Sequence, residues 1–205
     1  MKKILIGLGA LVFLAGCNSQ DASSKVEEDK LIPAGIDKEI IPFNLEETTV
    51  DADLIANVVI KDKVDEIKAE PIPYTVFNAE VIVVYKGDET TKDITIKQEG
   101  DSEWLINGSK MFETGEEYIL FMNKTTVDKG DFWIIGGETG TFQVLDNDKV
   151  AKLLLPIDEF SDIEVDHSQE VRALKFLDNQ DIDEDIIQVL NKDEFIQKIK
   201  DEVEK

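Results

Sequence analysis

The sequence predicts a mainly β protein whose body is an antiparallel barrel or sandwich. Six or seven short segments between residues 52 and 155 carry apolar residues at every second position, and Gly-rich turns separate several of them. After Pro156 the apolar residues instead recur at helical spacing. We therefore expect a short N-terminal helix, a β body and an acidic, mostly helical C-terminal segment.

The elements of the body follow in order along the chain. Asn44 and Glu47 form a capping-box pattern for a helix reaching about Asp53. The first strand should bury one face, made of Ala52, Leu54, Ala56, Val58 and Ile60. The second should bury Phe77, Ala79, Val81, Val83 and Tyr85. Further strands are expected at 94–100, 116–124, 132–135, 141–145 and 150–155.

The C-terminal segment carries three helix-start signals. Ser168 is a candidate cap for one helix, and Asp183 is a candidate cap for a short helix that carries Ile187 and Leu190. Asn191 and Glu194 form a second capping box, before a helix whose apolar face holds Phe195, Ile196, Ile199 and Val203.

The first residues have the pattern of a secretory signal. Lys2 and Lys3 precede an apolar run of eleven residues, which as a helix would span only about 16 Å, too little for a bilayer. The run ends in Leu14-Ala15-Gly16 before Cys17, the sole cysteine. These four residues resemble the lipobox of bacterial lipoproteins. The resemblance implies cleavage between Gly16 and Cys17 and a diacylglyceryl group on Cys17, whose two acyl chains suffice for stable anchoring.

These patterns together divide the chain into four regions. We expect a signal peptide over residues 1–16, a lipidated cysteine and flexible tether over 17–43, the β body over 44–155 and the acidic C-terminal segment over 156–205. The protein should lie on the outer face of the cytoplasmic membrane. Arg172 is the only arginine beside many lysines, which we interpret as a sign of a Gram-positive bacterium.

The net charge restricts the partners of the protein. The chain has 22 Lys and Arg against 45 Asp and Glu, for a net charge of −23, and removing residues 1–16 takes away two more lysines. A protein with this much negative charge binds nucleic acid and anionic lipid surfaces poorly, since both interactions require basic patches. We expect contact with the membrane through the lipid anchor alone, and an envelope protein or ligand as partner.

The order of strands in residues 48–150 resembles a family of bacterial and archaeal surface proteins with an OB-like barrel, closed or partly open. It is more distantly similar to the netrin and tissue-inhibitor-of-metalloprotease type of barrel. The segments that carry the resemblance are ADLIANVVI, YTVFNAEVIVVYKGD, ITIKQEG, GEEYILFM and GGETGTFQV. The inhibitor domains use disulfides and a free N-terminal cysteine, so the resemblance implies a fold and no inhibitor activity.

No pattern indicates a catalytic residue, a cofactor or a metal. His167 is the only histidine, and no Gly-x-Ser-x-Gly elbow accompanies it. A calcium loop starting at Asp181 would need Gly at its sixth position and Glu at its twelfth, where Ile186 and Lys192 stand. GGETG at 136–140 precedes a strand and not a helix, so we interpret it as a tight connection and not as a phosphate loop.

Trp104 is the candidate residue for a ligand surface, because it lies in a loop-like segment and tryptophan is enriched at contact surfaces. Phe132 and Trp133 are neighbours in a strand, so only one of them can point into the core.

The leading hypothesis is a non-catalytic binding module on the cell surface. The alternatives are an extracytoplasmic hydrolase that uses carboxylates and a module that responds to divalent cations.

Overall fold

The computed structural model describes residues 34–87, 90, 92–126, 131–145, 148–165 and 187–205. The strands and helices in chain order are β1 (Ala34–Ile36), α1 (Leu45–Asp51), β2 (Leu54–Ile67), β3 (Tyr74–Lys86), β4 (Asp93–Glu99), β5 (Trp104–Ile106), β6 (Glu117–Lys124), β7 (Asp131–Ile134), β8 (Thr141–Val144), β9 (Lys149–Leu153), β10 (Ile187–Asn191) and α2 (Lys192–Val203). Two short 3₁₀ turns span Gly137–Gly140 and Asp158–Phe160. Neither helix in these ranges has the length and apolar character needed to cross a membrane.

Five strands close into a barrel, which confirms the prediction of a mainly β body. They pair in the order β6-β2-β3-β4-β7, and β7 pairs back to β6. The β4–β7 pair is parallel and the other four pairs are antiparallel. The barrel core includes Leu54, Ala56, Val58 and Ile60 of β2, which are all buried. The face predicted for the first strand therefore points inward from Leu54 to Ile60. Ala52, which was predicted on the same face, instead ends α1 and packs with Leu45 in a second cluster.

A second core lies against the outside of the barrel. Ile55 of β2 and Ile119 and Phe121 of β6 point away from the barrel interior and are fully buried. The segments that cover them contribute Leu45, Phe142, Val150, Phe160, Leu190, Phe195 and Ile199. We call this cluster the outer core. Strands β8, β9 and β10 continue the sheet from β6 and, with α1 and α2, form its cover.

Both predicted cap residues, Asn44 and Asn191, cap the N-terminal ends of the helices. The side-chain oxygen of Asn44 accepts the Glu47 backbone N–H at 2.8 Å, and that of Asn191 accepts the Glu194 N–H at 3.0 Å. Each bond satisfies one of the backbone donors left free in a first helical turn. Helix α2 buries Phe195 and Ile199, as its apolar spacing predicted.

The prediction of one continuous apolar face on β3 is wrong beyond Val81. Val81 lies opposite Val58 and Val83 lies opposite Asn57, so Ile82 is an extra residue in β3. Such a bulge reverses the alternation that follows it. Val84 consequently packs against the barrel core, while Val83 is 43% exposed.

The prediction of a helix through Ile187 and Leu190 is also wrong. These residues belong to β10, which pairs antiparallel with β9 and is buried from Ile187 to Leu190. A strand buried on both faces has a continuous apolar run, which periodicity alone does not distinguish from a helix. The described part of the C-terminal segment therefore contains the second 3₁₀ turn, a strand and a helix, all joined to the body. The helix predicted to begin at Ser168 lies outside the described residues.

The Gly-rich segment at 136–140 is the tight connection that the sequence predicts. Its 3₁₀ turn joins β7 directly to β8. A Cβ on Gly140 would lie 2.5 Å from the carbonyl oxygen of Ile135 and 3.2 Å from that of Phe121. Both obstacles are backbone atoms, so Gly140 is required by close approach of the chain.

Replacing Gly140 by Ala should lower the free energy of unfolding by about 2 kcal/mol, because the backbone must shift to admit the methyl group. Urea denaturation of the variant and the parent would measure this difference. Gly35→Ala is the matched control, since no atom lies within 4 Å of the added Cβ. Equal losses in the two variants would contradict the assignment of close packing at Gly140.

Candidate functional site

A cavity of about 520 Å³ lies beside the outer core. Residues Pro42–Asn44, which lead into α1, form one side of it, and residues Leu155–Glu159, which follow β9, form another. Thr139 and Lys152 complete the lining. The volume falls within the range of about 300–1,000 Å³ that is typical of small-molecule sites.

One wall of the cavity is aromatic and held firmly in place. The ring of Phe43 packs edge-on against Phe121 at 5.2 Å and Phe142 at 5.4 Å between centroids, and it lies 5.9 Å from Phe160. These neighbours belong to the outer core, so the wall continues the packed interior of the protein. The next residue, Asn44, is fixed by its capping bond to Glu47.

Lys152 lies on the inner side of the cavity and is fully buried. Its Nζ donates to the carbonyl oxygens of Glu138 at 2.6 Å and Leu153 at 3.3 Å, and it lies 5.5 Å from the centre of the Phe142 ring. Burial lowers the pKa of the Lys152 amine to about 7, an effect that the nearby Glu138 carboxylate partly opposes.

Two carboxylates stand at the rim of the cavity. Asp158 and Glu159 are exposed residues of the second 3₁₀ turn. Glu159 accepts the backbone N–H of Leu45 at 3.0 Å, which ties the turn to the start of α1. The cavity thus has a buried amine inside and acidic groups at its opening.

A buried glutamine fixes the chain just before these carboxylates. Gln188 of β10 accepts the backbone N–H of Ile157 at 2.9 Å and donates to its carbonyl oxygen at 3.1 Å. One side chain therefore satisfies both backbone polar groups of Ile157, as burial of this segment requires. The position of the rim is set by contacts within the protein.

The bend that follows β9 is strained. Leu154 has φ of 59° and Leu155 has φ of 65°, both in the left-handed region that disfavours residues with a side chain. Pro156 further restricts Leu155. Each such residue costs on the order of 1–3 kcal/mol, and strain of this kind is concentrated at functional sites. The bend places Leu155, which is 43% exposed, on the cavity wall.

A second cavity, near Ser109 and Tyr118, is much smaller. Its volume of about 30 Å³ is room for about two water molecules. The Tyr118 hydroxyl donates to Glu116 at 2.7 Å, and burial, reinforced by the Glu116 charge, raises the pKa of Tyr118 well above its usual value. The small cavity has no space for an organic ligand.

The structure places Trp104 away from the large cavity. The prediction of a loop around Trp104 is wrong, because Trp104 begins the short strand β5, which pairs with β1. Trp104 is 41% exposed, and its backbone N–H donates to Asp101 at 2.9 Å. Burial would raise the pKa of Asp101, but hydrogen bonds from Lys68, Glu103 and Trp104 lower it overall. Asp101 thus fixes the backbone beneath an exposed indole ring. A ligand role for Trp104 stays a prediction.

The structure separates the other aromatic candidates. Phe132 is buried inside the barrel, whereas Trp133 packs outside it against Tyr74 with ring centroids 4.9 Å apart. The prediction that only one of them points inward is confirmed.

The remaining predicted sites are not described by the structure. Gly16 and Cys17 lie outside the described residues, as do His167 and Ser168. Within the described ranges, no group of three or more His, Cys, Asp or Glu side chains is arranged to hold a metal ion.

Sequence reasoning missed Lys152. Its one signal was a lysine inside the otherwise apolar run VAKLLL. A long side chain there is compatible with an exposed strand face, so the run alone does not reveal a buried amine.

The buried Lys152 predicts a pH-dependent stability between about pH 7 and 9. The unfolded chain keeps the Lys152 proton up to about pH 10.4, whereas the folded protein releases it near pH 7, so stability should rise with pH in this window. The slope from this group is at most about 1.4 kcal/mol per pH unit. Measurement should stop at pH 9, since Tyr85, whose pKa burial raises to about 12, opposes the trend above pH 10.

Lys152→Met should remove this rise, as measured by urea denaturation at several pH values. Lys61→Met is the control, because Lys61 is largely exposed and pairs with Glu80. Parallel curves for Lys152→Met and the parent would show that Lys152 stays protonated in the folded protein.

The comparisons with known proteins identify the N-terminal region only. Residues 1–18 match the family model of the prokaryotic membrane lipoprotein lipid attachment site. A search of curated proteins found no match. The chain therefore carries the attachment signal of a membrane lipoprotein ahead of the β body.

Proposed function

We propose that this protein is a lipoprotein anchored through Cys17 on the outer face of the cytoplasmic membrane, where its β body binds an envelope component without transforming it. The match of residues 1–18 to a lipid attachment site carries the proposal. Cleavage after Gly16 leaves Cys17 as the first residue. The tether is shorter than the sequence predicts, because Ala34–Ile36 form β1 and Phe43 packs on the outer core, so it extends from Cys17 only as far as β1. Acyl chains on one residue suffice as an anchor, and the strong negative charge keeps the body off an anionic surface.

The topology supports an OB-like classification of the barrel. In chain order the barrel strands are β2, β3, β4, β6 and β7, and we number them one to five. Around the barrel they follow one another in the order 1-2-3-5-4, and strand 4 pairs back to strand 1. The third and fifth strands are parallel. Five strands in this closed order match the Greek-key barrel of OB folds, many of which are binding modules. The fold does not determine the ligand, which depends on the site.

The large cavity supports a binding role for the body. It has an aromatic wall, a few polar groups and a volume suited to a small molecule. Its rim is held in place by Gln188 and by the contact between Glu159 and Leu45. A site formed in advance loses less conformational freedom when it binds.

The anchor is tested by replacing Cys17 with Ala in cells fed an alkyne-labelled fatty acid. The parent should carry the label and partition into the detergent phase of a Triton X-114 extract, whereas Cys17→Ala should carry none. Ser23→Ala, which leaves the attachment signal intact, should behave as the parent. Label retained by Cys17→Ala would overturn the assignment of Cys17.

The face of the membrane is tested by adding protease to protoplasts. The β body of the parent should be digested while a cytoplasmic marker protein survives. Protection of the body until the protoplasts are lysed would place it on the opposite face.

A further inference from the structure

We propose that the cavity beside Lys152 binds a small organic cation, with an ammonium group at the rim and an apolar body inside. This inference rests on the proposed function, because it assumes that the body binds a ligand. It adds the chemical class of the ligand and the residues that recognise it.

The charges around the opening favour a cation. Asp158 and Glu159 are exposed at the rim, and the chain as a whole carries a net charge of −23. A field of this sign raises the local concentration of cations and lowers that of anions. An ammonium group that reaches the rim can form charge-assisted hydrogen bonds with carboxylate oxygens.

The one basic group in the lining is a poor partner for an anion. Lys152 is fully buried, and its Nζ already donates to the carbonyl oxygens of Glu138 and Leu153. An anion that used Lys152 would have to displace these bonds and pass the two rim carboxylates. The geometry therefore selects against a carboxylate or phosphate ligand.

The walls select an apolar body for the ligand. Phe43 presents an aromatic ring, and Leu155 and Ile157 supply aliphatic surface. Burial of apolar area against such walls favours binding, and an ammonium near the Phe43 ring would gain a cation–π attraction. A cavity of about 520 Å³ suits a small molecule better than a folded partner.

Three probes with one phenyl body test the inference. They are 2-phenylethylammonium, 2-phenylethanol and 3-phenylpropionate, which differ chiefly in charge. Each is titrated by calorimetry into the full-length lipidated protein in a non-ionic detergent, against a detergent blank. The ammonium probe should bind about tenfold more tightly than the alcohol, with the propionate weakest.

Two double variants locate the effect. Asp158→Asn with Glu159→Gln should bring the affinity for the ammonium probe to within about twofold of that for the alcohol. Glu46→Gln with Asp51→Asn makes the same change in net charge on exposed positions of α1 outside the cavity. This control should keep the preference, because long-range fields are screened by salt.

Several results would overturn the inference. These are equal or tighter binding of the alcohol or the propionate, equal loss of preference in the two double variants, or no binding of the ammonium probe up to about 10 mM. None of them bears on the anchor, which the fatty-acid label tests separately, and thermal unfolding of each variant confirms that it is folded.

Discussion

The burial of β6 and of β2 from Leu54 to Ile60 on both faces is the constraint on which the described body depends. A barrel strand that faces solvent needs apolar residues on its inner face only. Here Ile55, Ile119 and Phe121 make the outer face apolar as well. Full burial of each such side chain contributes on the order of 1.5–3 kcal/mol relative to exposure. The barrel therefore requires a cover, and α1, α2 and the extension β8-β9-β10 supply it.

The cover explains why polar groups are buried near the cavity. Its segments reverse direction beside the outer core, and each reversal leaves backbone groups that need partners. Lys152 supplies hydrogen bonds to the carbonyls of Glu138 and Leu153, and Gln188 supplies them to both backbone groups of Ile157. Lys152 and Gln188 are opposite each other in the β9–β10 pair, so their side chains lie on the same face of the sheet. The buried amine of Lys152 thus stabilises the cover, and the cavity lies where the segments of the cover meet.

Sequence reasoning succeeded where a local pattern determines the structure. The alternation from Leu54 to Ile60 and the caps at Asn44 and Asn191 depend on neighbouring residues and were predicted. It failed where contacts between residues far apart in the sequence determine the structure. The bulge at Ile82 depends on pairing with β2, and β10 is a strand because β9 offers a free edge. The burial of Lys152 depends on the Glu138 carbonyl that the first 3₁₀ turn brings to it, a contact that no local spacing encodes.

A proton on Lys152 and a cation bound at the rim of the cavity would disfavour each other, because both are positively charged. The groups around Lys152 are Glu138 of the first 3₁₀ turn, Asp158 and Glu159 of the second, and the uncharged Phe142 and Gln188 on the neighbouring strands. A cation bound at the rim would repel a proton on Lys152. Because linkage is reciprocal, loss of that proton would strengthen cation binding by the same factor. Burial lowers the pKa of Lys152 to about 7, so this coupling would act near neutrality. The amine that stabilises the turn would therefore also make the proposed binding of a cation sensitive to pH near neutrality.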